Sequence, residues 1–283
     1  MSSVVYLNGS FVPYDEAVVP VEDRGYLFAD GVYEAVRFYN NRPFMLPEHL
    51  ARLQRSAAAI RLSLPPVSEL SEAVLQTVAR NGCPDAVLYL QVTRGAAPRR
   101  HEFPPPGPPT VFMIARPYSR PDGDMLSKGV GCVSVPDLRW QMCHIKSTGL
   151  LLNVLAKQQA VEADAFEALF IRDGTVTEGT SCNVFMVNGR SLVTHPADQH
   201  ILAGITRSVV LSLAQEMSIE VREESFTLPQ LKAADEVFIT STGIEVLPVT
   251  TVDGETIGQG RTGPMTERLW QAYDRLVQKT IGS

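Results

Sequence analysis

Lysine is scarce in this chain, five residues against twenty arginines, and one of the five stands apart. Lys146 lies in CHIKSTGLLLNVLA, after a strand-like segment ending at Trp140 and before a strongly apolar helical stretch. A lysine held between a strand and a buried helix would be desolvated, which favours the uncharged amine that Schiff-base chemistry needs. A lysine snorkelling to the surface at a helix start fits the same context. Lys128, Lys157, Lys232 and Lys279 sit among polar or linker residues and read as solvated.

Three further segments offer chemistry for anions. In ILAGITRSVV (201–210), Gly204 opens an amphipathic helix, so the N–H groups of Ile205 and Thr206 lie at a helix N-terminus that can bind phosphate. In EVFITSTGIEV, a strand runs into Thr240-Ser241-Thr242-Gly243, whose hydroxyls and glycine could cradle an anion or form a plain turn. PRRHEFP places Arg99, Arg100 and His101 in a long Pro-rich loop, able to bind a carboxylate or simply to be solvated.

Several classes find no support. No H-E-x-x-H or other metal spacing, G-x-S-x-G elbow, Walker A loop or G-x-G-x-x-G is present, so zinc, Ser-hydrolase, P-loop and Rossmann chemistry are not expected. Net charge is -6 with pI near 5.4, which gives no footprint for nucleic acid or an anionic membrane. Nothing in the first ten residues reads as a signal peptide and no run reaches a membrane span. Cys83, Cys132, Cys143 and Cys182 are scattered, as free thiols in a reducing cytoplasm would be.

The elements that must hold these residues follow from spacing. Asn8-Gly9 marks a first hairpin. Residues 32–39 alternate as a strand, with Val32, Glu34, Val36 and Phe38 on one face and Tyr33, Ala35, Arg37 and Tyr39 on the other, turning at Asn40-Asn41. A helix with Pro47 in its first turn aligns Leu50, Leu53, Ala57 and Ile60, and a second with Ser68 as N-cap ends at Asn81-Gly82. Strands are expected at 86–94, 110–116, 130–135, 168–172, 183–187, 191–194, 219–223 and 236–241, and helices at 149–163, 204–217 and 265–280. Consecutive strands with segregated helices imply an α+β chain: a small domain at 1–117, a linker at 118–124 and a larger domain at 125–283 carrying Lys146.

Seven runs, EDRGYLFADGVYE (22–34), EHLARL (48–53), VTRGAAPRRHEFP (92–104), RWQMCHIKSTGLLLNVLAKQQA (139–160), TVTEGTSCNVF (175–185), ILAGITR (201–207) and FITSTGIEVLPV (238–249), occur in one order and spacing. Together they resemble the fold-type IV pyridoxal phosphate (PLP) enzymes, and most closely the bacterial D-amino-acid aminotransferases. The resemblance implies PLP at the interface of the two domains, with Lys146 as its Schiff-base lysine and general base. It implies that Glu178 pairs with the pyridine nitrogen, Arg52 clamps the phosphate, Leu202 packs on the ring, and Ile205, Thr206, Ser241 and Thr242 complete the phosphate cup.

The same resemblance makes Tyr33, Arg99 and His101 a trap for the substrate α-carboxylate, with the Arg-x-His loop reaching in from the other subunit of a homodimer. It implies transfer of the amino group from D-alanine to 2-oxoglutarate by a ping-pong mechanism. Branched-chain L-aminotransferases, (R)-selective amine transaminases and aminodeoxychorismate lyases share the scaffold. Arg100 beside the trap and Gly243-Ile244 after the Ser-Thr pair depart from the family's usual residues and bear on substrate range. Arg100 is expected to face solvent, since neighbours in an extended loop point opposite ways.

Overall fold

The computed structural model describes residues 3–282. It divides into two compact units, one built from the chain up to Ser119 with Ile145–Gly149 and the chain end from Thr280, the other from Arg120–His144 and Leu150–Lys279.

The first unit is an antiparallel sheet of β1 (Val4–Leu7), β2 (Ser10–Pro13), β3 (Gly31–Tyr39), β4 (Arg42–Pro43), β5 (Ala86–Thr93) and β6 (Thr110–Pro117), in the order β2-β1-β6-β5-β3-β4. Two-residue turns set its hairpins, because Asn8 and Gly9 (φ 48° and 91°) and Asn40 and Asn41 (φ 46° and 63°) accept positive φ. Short α1 (Arg24–Phe28) precedes β3. One face packs α2 (Leu46–Ala59) and α3 (Val67–Asn81) over Val32, Val36, Leu88, Leu90 and Met113. Ser68 is not the N-cap of α3: Pro66 holds that place, and Ser68 lies inside the first turn.

Lys146 was expected in the C-terminal domain, but its segment packs in this first unit. Ile145 is buried in the first core, Ser147 bridges to Val32, and the Thr148 hydroxyl donates to the Ala29 carbonyl at 3.0 Å. The strand before it ends at Pro136 rather than near Trp140, so residues 137–144 form a separate loop.

The second unit opens with α4 (Gly123–Lys128), capped by the Asp122 side chain. Its strands are β7 (Val130–Pro136), β8 (Glu167–Arg172), β9 (Thr175–Gly179), β10 (Asn183–Asn188), β11 (Ser191–Thr194), β12 (Glu220–Glu223), β13 (Glu236–Ser241), β14 (Glu245–Val252) and β15 (Glu255–Thr256). The main path runs β12-β11-β10-β13-β14-β7-β8-β9, parallel at β12/β11, β14/β7 and β7/β8 and antiparallel elsewhere. Its helices are α5 (Leu151–Glu162), α6 (Ile205–Glu216), α7 (Leu228–Lys232) and α8 (Pro264–Gly282). The helix after Lys146 is not buried: α5 lays Ala156 and Ala160 on Val135 and Phe170, while Leu151, Val154, Leu155 and Val161 stay exposed. Lys232 is not plainly solvated either, bridging Asp253 (2.9 Å) and Glu255 (2.8 Å).

Candidate active site

In the first unit, Lys146 rides on an extended segment pinned along its main chain. Its N–H donates to the Ser56 hydroxyl of α2 (3.1 Å), and its carbonyl accepts from the N–H of Tyr33 on β3 (3.0 Å). The ammonium lies 4.2 Å from the centre of the Tyr33 ring, which stacks on Tyr89 at 5.4 Å. With the backbone fixed, the freedom of the amine lies in its flexible four-carbon stem.

Beside it, α2 presents His49, Arg52 and Ser56 on one stripe, as three- and four-residue steps require. Arg52 donates through Nε to Glu34 Oε1 (2.7 Å) and through Nη2 to Oε2 (2.8 Å), and His49 Nδ1 meets Oε2 at 2.7 Å. Glu34 is 0% exposed on the Val32–Val36 face of β3. Burial alone would raise its carboxyl; the Arg52 charge and the hydrogen bonds from Arg52 and His49 outweigh it and hold it at about 2. His49 is held below the ordinary histidine range, first by burial, with the charges of Arg52 and Lys146 acting in the same sense against Glu34.

The expected carboxylate trap falls into two clusters. Tyr33 joins Lys146 and Tyr89, whereas Arg99 and His101 gather on Phe28, at 5.2 Å and 5.6 Å. Arg24 fixes that loop, donating to the carbonyls of Arg100 (2.7 Å), Glu102 (3.4 Å) and His101 (3.5 Å), and is itself tied to Asp30 at 2.8 Å. Arg100 points outward and pairs with Glu102 at 3.7 Å.

In the second unit, Glu178 is the penultimate residue of β9 and is buried. Arg139 Nη1 donates to its Oε1 (2.6 Å); the N–H of Leu202 (2.9 Å) and the Asn183 amide (3.3 Å) donate to its Oε2. Asp137 braces Arg139 through Nε (2.9 Å) and Nη2 (3.0 Å), and Arg172 also reaches Asp137 at 3.1 Å. Burial opposes ionisation of Asp137, but its hydrogen bond and charge contact with Arg139 prevail and hold it low.

Next to that carboxylate, α6 starts at Gly204 without a side-chain cap, leaving the first N–H groups of the helix, those of Ile205 and Thr206 among them, outside its own ladder. Glycine is required at 204 because a Cβ would strike the Asn183 side-chain oxygen. Asn183 also donates to the Leu202 carbonyl (2.8 Å), so one amide ties the helix start to Glu178. Thr240 pairs with Asn183 across β10/β13 and buries a hydroxyl that has no hydrogen-bond partner. Ser241 ends β13, and Thr242 follows in the turn to β14. A helix start, an orphaned hydroxyl and a braced carboxylate suit a ligand with a phosphate at one end and a protonated ring nitrogen at the other, so these residues fit PLP.

Glu34, His49, Arg24, Asp137, Arg139 and Asn183 were not singled out from the sequence, whereas Thr240 stood in the Thr240-Ser241-Thr242-Gly243 segment read as a possible anion cradle. Glu34 had left a signal, a lone carboxylate on the apolar face of β3. Among the described residues no His/Cys/Asp/Glu group could hold a metal ion, and no helix is long and apolar enough to cross a membrane.

The chain belongs to the class IV amino-transferase family, whose model matches residues 31–252. It is 47% identical over 274 residues to the D-alanine aminotransferase of Bacillus licheniformis, an overlap of 96% of each chain. Among solved structures it resembles the branched-chain aminotransferase of Thermoproteus uzoniensis with norvaline, at TM-score 0.90 and 31% identity over 99% of this chain and 96% of that one. It also resembles the branched-chain amino acid aminotransferase of Thermobaculum terrenum in its PLP form, at TM-score 0.84 and 26% identity over 99% and 95%.

Proposed function

We infer that this chain is a PLP-dependent D-amino-acid transaminase, moving the amino group of D-alanine and other D-amino acids to 2-oxoglutarate to give pyruvate and D-glutamate. The observation that carries the reading is Lys146, whose main chain is pinned at both its N–H and its carbonyl while its amine lies against Tyr33. The near-full-length identity to a D-alanine aminotransferase supports the D-amino acid as substrate.

When bound, PLP supplies an aldehyde that condenses with primary amines and a ring that takes up the electron pair left at Cα. Lys146 holds the cofactor at rest and then, its amine released, moves the proton at substrate Cα. Glu178 keeps a proton on the ring nitrogen, and Arg139 and the Leu202 N–H fix the direction of its carboxylate. The Leu202 side chain packs on the ring. Arg52 is the side-chain donor to the phosphate, and the N–H groups of Ile205 and Thr206 with the hydroxyls of Ser241 and Thr242 are its other donors. Tyr33, Arg99 and His101 bind the α-carboxylate.

The Phe28-centred cluster of Arg99 and His101 is taken to serve the active site of a second copy, which makes the enzyme a homodimer with shared sites. The exposed Leu138, Trp140, Met142, Leu151, Val154 and Leu155 of the second unit support an apolar subunit contact. A cytoplasmic location accords with four free, buried cysteines.

A branched-chain L-aminotransferase is the second reading, favoured by the solved structures this chain resembles. Half-reactions separate the two: D-alanine, but not L-leucine, should convert the cofactor absorbance in single turnover. Conversion by L-leucine with none by D-alanine would overturn the D-specific assignment.

A further inference from the structure

We propose that Glu34 and His49 are positioning residues that hold Arg52 as a preassembled phosphate donor, an inference that rests on the role given to Arg52 above. Glu34 is out of place by packing alone. It is fully buried between Val32 and Val36, where a carboxylate is costly to desolvate unless its partners are excellent. Hydrophobic residues of similar size would serve a core at least as well. What the carboxylate adds is direction.

Its two oxygens take the Nε and Nη2 of Arg52 at 2.7 Å and 2.8 Å, a fork-to-fork contact that sets the plane of the guanidinium and hence the heading of Nη1. His49 makes the third contact, at 2.7 Å. A carboxylate can only accept here, so the proton of the neutral ring sits on Nδ1. Burial first, with the charges of Arg52 and Lys146 in the same sense, holds His49 below the ordinary histidine range and so favours the neutral ring as a simple donor. The stripe that carries Arg52 also carries Ser56, which binds the main chain of Lys146. The same helix face therefore aims the donor and anchors the lysine.

This arrangement gives up charge for direction. Glu34 offsets the positive charge of Arg52, so replacing it should strengthen phosphate binding if attraction were all that mattered, and weaken it if orientation matters. The test measures dissociation constants of the apo-protein for PLP and for pyridoxal, which lacks the phosphate. Their ratio isolates the phosphate contribution. In Glu34→Gln the ratio should fall by about 10–100-fold, the range for losing an outer partner of a binding group, with pyridoxal affinity unchanged. A ratio at or above the wild-type value overturns the proposal, as does an equal loss for both ligands, which marks a structural role. If Glu34→Gln does not fold, His49→Gln, which keeps the Glu34–Arg52 pair, decides through the same ratio: a fall upholds the proposal and no change overturns it. Arg52→Ala guards the premise. If it leaves the ratio untouched while wild type binds PLP, the assignment of Arg52 itself fails.

Discussion

Each unit buries an arginine–carboxylate pair, and the two pairs run in opposite directions. In the first unit the carboxylate serves the arginine: Glu34 grips Arg52 from behind, with His49 beside it. In the second the arginine serves the carboxylate: Arg139 grips Glu178 and is braced in turn by Asp137. On the roles proposed above, the group proposed for an anion thus has a negative partner at its back, and the one proposed for a cation has a positive partner. Lone buried charges would neutralise themselves by shifting their proton equilibria. The backing charge offsets each buried group and aims it, by a two-pronged contact at Arg52 and by Arg139 with the Leu202 N–H at Glu178. The two pairs therefore differ in which partner is backed: the cation in the first unit, the carboxylate in the second.

Lys146 lies outside both pairs. Lys146→Ala should lower turnover by about 1,000-fold or more, with the melting temperature of the apo-protein little changed. Normal turnover would remove the lysine from the mechanism.

The second-unit pair depends on Arg139. Arg139→Met leaves Glu178 and Asp137 without their shared cation and should destabilise the protein by about 3–5 kcal/mol in denaturant unfolding. Adding Glu178→Gln should recover part of that loss. If the double variant is less stable than the single one, Arg139 does not exist to compensate Glu178.

The first unit should betray itself in acid. His49 is depressed in the folded state, so below the ordinary value near 6.5 the unfolded chain binds a proton that the folded chain refuses, and stability falls as pH drops. Glu34, held at about 2, adds a second loss between roughly 4.5 and 2 with the same sign. Melting temperatures of the apo-protein from pH 7 to 5 should decline, and His49→Gln should flatten that decline. An identical slope would detach His49 from the acid response. The smallest effect is expected at Arg100, whose exposed pairing with Glu102 is worth about 0–1 kcal/mol, so Arg100→Ala should leave stability nearly unchanged.

The presented groups were more legible in the sequence than the groups behind them. Gly204 was found because helix starts have a local signature, and the observed cap confirms that helix start. Arg139 and Asn183 were not, because Glu178 lies 39 residues from Arg139 and Thr240 faces Asn183 only across the strand pair, and no local period encodes such pairings; Asp137 acts through Arg139 and shares its silence. The path of Lys146 failed for the same reason. An apolar run after it suggested a buried helix, but α5 buries only its alanines, and the pull toward the first unit comes from Val32, Tyr33 and Ser56, about 90 or more residues earlier. β14 went unread because Pro248 interrupts a strand pattern, although its neighbours carry the ladder on either side.

Lys146 is the residue proposed to carry the cofactor. Borohydride reduction of the purified holoenzyme, followed by peptide mass mapping, tests it directly. One reduced phosphopyridoxyl adduct per chain is expected, on the peptide containing Lys146 and absent from Lys146→Ala. An adduct on Lys128, Lys157, Lys232 or Lys279 in its place, or none on a PLP-loaded and active enzyme, would contradict it.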